Sequence, residues 1–164
     1  MKEYLLHVLF IGIGATIFID LYAFILQRYF NIPSLNYQFV GRWLVGISKG
    51  QFVHHKIMQS PNVRFEKYIG WFSHYVIGIM FSALFIMIVG KNWLISPELF
   101  PALLFGTSTV IFPFFLMQPC LGFGIAASQT PFPRSARLKS ISTHFMFGLG
   151  LYFSTILLHL FDLI

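Results

Sequence analysis

Three ionisable side chains set inside long apolar runs define the chemistry open to this chain: Asp20, His74 and His144. Placing such groups in hydrocarbon costs free energy unless they face protein or water, so each is a site candidate. A carboxylate beside an imidazole favours the imidazolium, whereas burial opposes both ionised forms. A group poised between those effects can titrate near neutral pH. That chemistry suits binding or translocation of protons or a small polar solute, with no cofactor. Asp20, His74 and His144 could instead hold a divalent metal with open positions for water or substrate, making a metal-dependent membrane enzyme. The same three could also form a hydrogen-bond network that fixes helix register.

The two histidines share a setting. Ser73-His74-Tyr75-Val76-Ile77-Gly78 and Thr143-His144-Phe145-Met146-Phe147-Gly148 repeat one pattern about seventy residues apart. In each, a hydroxyl precedes the histidine, an aromatic follows, and a glycine lies one helical turn beyond. Such a repeat suggests a two-helix unit copied in parallel about an axis along the membrane normal. Gly106-Thr107-Ser108-Thr109 against Gly14-Ala15-Thr16 extends the likeness faintly.

The elements that must position these residues follow from composition. With 164 residues, 57% hydrophobic and 10% charged, the chain is too apolar for a soluble domain. Four segments meet the length of a spanning helix: 4–27, 68–89, 98–118 and 140–161. The fold class is therefore all-α: a polytopic membrane protein with a four-helix bundle, one integral domain over 1–164, and a long, partly structured first cytoplasmic connection. The first apolar run is too long for a secretion signal and lacks a small-residue cleavage site, so it reads as a permanent helix.

Of the eleven Lys and Arg residues, nine fall in the connections after the first and third helices, leaving Lys2 and Lys91 on the other side. That bias puts both connections in the cytoplasm and both termini outside. The net charge of +6 thus reflects topology rather than a nucleic-acid partner. The expected partner is the lipid bilayer, with a homo-oligomer left open. Cys120 is the lone cysteine, which excludes an internal disulfide.

Stripes of small and polar residues orient the helices. Gly12, Thr16, Asp20, Ala23 and Gln27 share one face of the first helix. His74, Gly78 and Ser82 mark the second, and His144, Gly148, Tyr152, Thr155 and His159 the fourth. Thr16 and Tyr152 therefore flank the ionisable groups as pocket candidates, although Gly12 and Thr16 could serve packing alone. Asp20, His74 and His144 lie roughly 12, 10 and 8 Å from the nearest cytoplasmic charge, at similar depth. Facing stripes would bring them into one cytoplasm-facing pocket.

In the connections, Phe39, Val40, Trp43, Leu44 and Ile47 give a short helix an apolar face suited to the membrane interface. His54 and His55 read as solvated side chains, Glu66 as a surface residue, and Trp71 and Trp93 as interfacial anchors. Ser96 precedes Pro97 at an expected helix start. Pro113 should kink the third helix. The glycines of residues 118–133, followed by Arg134, Arg137 and Lys139, could cradle a phosphate or an anionic lipid head group, or simply form a packed loop.

Gly12-Ile13-Gly14-Ala15-Thr16 through Asp20-Leu21-Tyr22, Pro33-Ser34-Leu35-Asn36-Tyr37, Gly70-Trp71 with His74-Tyr75, and Gln118-Pro119 through Ala126-Ala127-Ser128 with Thr130-Pro131 resemble a family of small bacterial inner-membrane proteins catalogued as a domain of unknown function. The resemblance covers nearly the whole chain. It implies a four-span protein of the bacterial inner membrane and carries over no activity or catalytic residue.

Overall fold

The computed structural model describes residues 2–161, with side chains from residue 4. The chain is built from helices, with no strand among the described residues: α1 (Lys2–Phe30), α2 (Tyr37–Ser48), α3 (Glu66–Val89), α4 (Asn92–Ile95), α5 (Leu99–Ser108), α6 (Gln118–Cys120) and α7 (Pro133–Leu160). Four stretches are long and apolar enough to cross a membrane: Tyr4–Phe30, Glu66–Val89, Leu99–Cys120 and Pro133–Leu160. Phe72, Met80, Met87, Ile88 and Leu104 on these stretches are exposed, so protein alone does not cover their apolar surface. Lipid is the solvent that removes this cost. The chain is a multi-pass membrane protein.

Local chemistry sets the ends. Asn31 takes a left-handed conformation and stops α1 just before Pro33. Asn36 caps α2, its side chain accepting the N–H of Gln38 at 3.0 Å. Gly90, at φ 84°, ends α3. The third span is not one α-helix. Pro113 cannot donate to the ladder, and the chain passes from α5 through a turn into a π-helical segment, Pro113–Met117, before α6.

Two boundaries differ from the sequence reading. α7 begins at Pro133 rather than residue 140, so Arg134, Arg137 and Lys139 lie on its first turns and not in a loop. Hydropathy marks where a helix enters hydrocarbon, whereas Pro at the first position and good helix formers after it start the helix sooner. Pro97 lies outside α5, which begins at Leu99.

The chain divides into two compact units. The first comprises residues 1–34, 75–108 and 142–164. It is a bundle of α1, α5 and the later parts of α3 and α7 around Ile11, Ala15, Phe85, Ile86, Leu151 and Leu158. Its helices approach backbone to backbone. A Cβ at Gly12 would lie 2.6 Å from the Cα of Ile79, and one at Gly148 would lie 2.6 Å from the carbonyl oxygen of Ala102. Only glycine fits at such crossings. Trp93 is buried here with its ring 4.7 Å from Phe85, and its indole donates to the Glu98 carbonyl. It is therefore a core residue rather than an interfacial anchor.

The second unit comprises residues 35–74 and 109–141. Here α2 crosses the start of α3, where Cβ atoms at Gly41 and Gly70 would collide with the carbonyls of Glu66 and Tyr37. The segment after α2 is fastened by backbone bonds from His54 N–H to the Cys120 carbonyl at 2.8 Å and from Ile57 N–H to the Leu121 carbonyl at 3.1 Å.

Candidate functional site

Asp20 lies near the middle of α1, half-buried. The phenol of Tyr75, on α3, donates to Asp20 Oδ2 at 2.9 Å. The two residues are 55 positions apart in sequence and belong to the first unit. An oxygen acceptor that can carry charge, held by a phenolic donor inside a span, is a place where a proton or a polar solute can be exchanged. Sequence reasoning named His74 and passed over its neighbour. The signal was present in the repeat: the aromatic after the histidine is Tyr75 in one copy and Phe145, which has no hydroxyl, in the other.

Thr16, one turn before Asp20, is fully buried and donates its hydroxyl to the Gly12 carbonyl at 2.7 Å, where it packs against Gly78. That contact serves the helix crossing. Ser82 continues the face by donating to the Val8 carbonyl. His144 and Tyr152 are half-buried on α7, with the Tyr152 ring 5.5 Å from Phe153. A Cβ at Gly106 would lie 2.9 Å from the His144 carbonyl, so that turn of α7 is the one that crosses α5. At the other end of the helix His159 Nε2 is 2.7 Å from the Leu94 carbonyl. A carbonyl only accepts, so this nitrogen carries the proton.

His74 belongs to the second unit. Its Nε2 lies 3.0 Å from the Tyr37 hydroxyl, and the two rings are 4.4 Å apart, with Trp71 4.6 Å from Tyr37. Trp71, three residues before His74, thus closes an aromatic cluster around the imidazole. Asn36 sets the position of Tyr37 by capping the helix that Tyr37 begins.

The strongest polar cluster of this unit was not expected. Arg42 Nε donates to Glu66 Oε2 at 2.8 Å and Nη2 to Oε1 at 2.9 Å, a bidentate pair with side-chain exposures of 5% and 10%. The other donors reach the carbonyls of Ile57 and Ser60 and the Asn62 side chain. Glu66 also accepts the Val63 N–H. Neither residue faces solvent, contrary to the surface position expected for Glu66, because one guanidinium fork satisfies the carboxylate and collects the carbonyls of the turn. The carboxylate holds the Arg42 pKa above its ordinary value.

His54 is buried rather than solvated, whereas His55 is exposed. His54 Nδ1 contacts Ser60 Oγ at 3.0 Å and Gln51 Nε2 at 3.3 Å, and its Nε2 has no hydrogen-bond partner among the described residues. Burial, aided by the charge of Arg42, pushes the His54 pKa below its ordinary value.

Residues 121–132, between α6 and α7, form a loop with Gly122, Gly124, Ala126 and Ala127 all at positive φ. Two alanines in that region store backbone strain, and Arg137 Nε anchors the loop by donating to the Ala126 carbonyl at 2.7 Å. Gln118 donates to Ser140 Oγ at 3.3 Å, and its buried Oε1 has no hydrogen-bond partner among the described residues. Arg134 is exposed. Among the described residues no three His, Cys, Asp or Glu side chains form a group that could hold a metal ion.

Residues 9–158 match the family described as a protein of unknown function, DUF2938, and the chain belongs to that family. No curated protein and no solved structure matches it.

Proposed function

We propose that the protein binds and passes protons or a small polar solute at Asp20, in the bacterial inner membrane, with both termini outside the cytoplasm. The supporting observation is the hydrogen bond from Tyr75 to Asp20, an ionisable pair within the spanning helices. Tyr75 can donate to the carboxylate and, by rotating its hydroxyl, accept from the protonated acid, so it stabilises either form. His144 and Tyr152, on α7 of the same unit, are the further polar groups from which a path would be built. Thr16 holds α1 against α3, and His74 is tied to Tyr37. The orientation follows the excess of basic residues in the connections after α1 and α6.

Proteoliposomes with an entrapped pH dye test the reading. Wild-type protein is expected to pass protons or to couple solute entry to pH. Asp20→Asn, which can still accept from Tyr75, should abolish this without altering the melting temperature. Flux unchanged in Asp20→Asn would remove Asp20 from the function.

A further inference from the structure

Arg134 and Arg137 line an open recess of about 570 Å³ together with Pro131, Phe132, Pro133 and Ser135. We propose that this recess binds the phosphate of an anionic phospholipid head group, a function separate from that of Asp20. Charge balance carries the argument first. Within residues 35–74 and 109–141 there are eight Lys and Arg side chains and one acid, Glu66. Arg42 takes that acid in a bidentate pair. The two recess arginines are therefore left without a carboxylate in their own unit.

Their placement fits an anion. Arg134 and Arg137 are three residues apart on the first turns of α7 and share a face. Arg134 is exposed, and its side chain makes no hydrogen bond or ion pair among the described residues. Arg137 uses one of its donors on the Ala126 carbonyl, which fixes its stem against the strained loop and limits the entropy lost on binding. Two guanidinium groups that line one recess present planar fork donors, and phosphate matches that geometry.

The surroundings select a lipid over a free ion. Phe132 is 78% exposed and Leu138 68% exposed, on either side of the arginines in sequence, and both precede the most apolar stretch of α7. Apolar side chains flanking a phosphate-binding group match the boundary between head groups and acyl chains.

The test is lipid titration of the full chain in detergent, read by native mass spectrometry with phosphatidylglycerol and phosphatidylcholine. The expected result is preferential retention of phosphatidylglycerol and a loss of about tenfold or more in Arg134→Gln. Arg134 is exposed, so this variant should melt like wild type. Arg64→Gln, an exposed cation of the same unit, should lose only about fivefold or less. Equal losses in the two variants would reduce the recess to diffuse surface charge and overturn the proposal. Equal retention of the two lipids would overturn it as well. Displacement of the lipid by inorganic phosphate at matched concentration would show that a free anion, not a head group, is the ligand.

Discussion

In residues 1–34, 75–108 and 142–164 the helices meet glycine to backbone, and the polar side chains mostly turn to carbonyls, as Thr16, Ser82 and Thr155 do. In residues 35–74 and 109–141 cohesion converges on one guanidinium, Arg42, which ties two helices and the turn between them. The first arrangement suits hydrocarbon, where close van der Waals approach is the available attraction. The second is a polar assembly, in which removing one member of a buried charged pair leaves the other at a large cost. Asp20 stands out because it introduces an ionisable pair into the unit otherwise built on the first plan.

The largest effect should come from breaking the second plan. Arg42→Ala leaves Glu66 buried without its partner and several carbonyls without donors, and should cost about 3–5 kcal/mol, read as loss of the folded fraction on thermal melting in detergent. A loss below that of an ordinary surface change would mean the pair is solvated. Gly148→Val tests the first plan. The added side chain meets the backbone of α5 and should cost about 1–3 kcal/mol.

A smaller and pH-dependent effect belongs to His54. Its folded pKa lies below the unfolded value of about 6.5, so its contribution is whole above that pH. The contribution is lost as pH falls through the lower folded value. Melting temperature should therefore drop on acidification below about pH 6.5, and His54→Leu should flatten that part of the profile. An identical profile in the variant would assign the acid sensitivity elsewhere. Gln118→Met should change stability least, by about 1 kcal/mol or less, because losing the Ser140 bond is offset by removing an unpartnered oxygen.

The spans, the glycine faces and the carboxylate set within the first span are legible in the sequence because hydropathy and helical period report them directly. The repeat finds its physical meaning in the crossings: Gly78 lies against Gly12 and Thr16 on α1, and Gly148 lies against Ala102 and Leu103 on α5. What escaped was long-range pairing. Nothing local distinguishes Arg42 and Glu66 from solvated charges, since their partnership depends on the fold of the chain across the 24 positions that separate them. Tyr75 escaped for a different reason. It and His74 both lie within one turn of Gly78, and nothing local says which of the two side chains reaches Asp20.

Infrared difference spectroscopy of the full chain in lipid, with pH as the perturbation, addresses Asp20 most directly. The account predicts a carboxyl stretching band that disappears in Asp20→Asn and shifts in Tyr75→Phe, where the phenolic hydrogen bond is gone. A spectrum in which neither substitution alters any carboxyl band would contradict a protonatable Asp20 held by Tyr75.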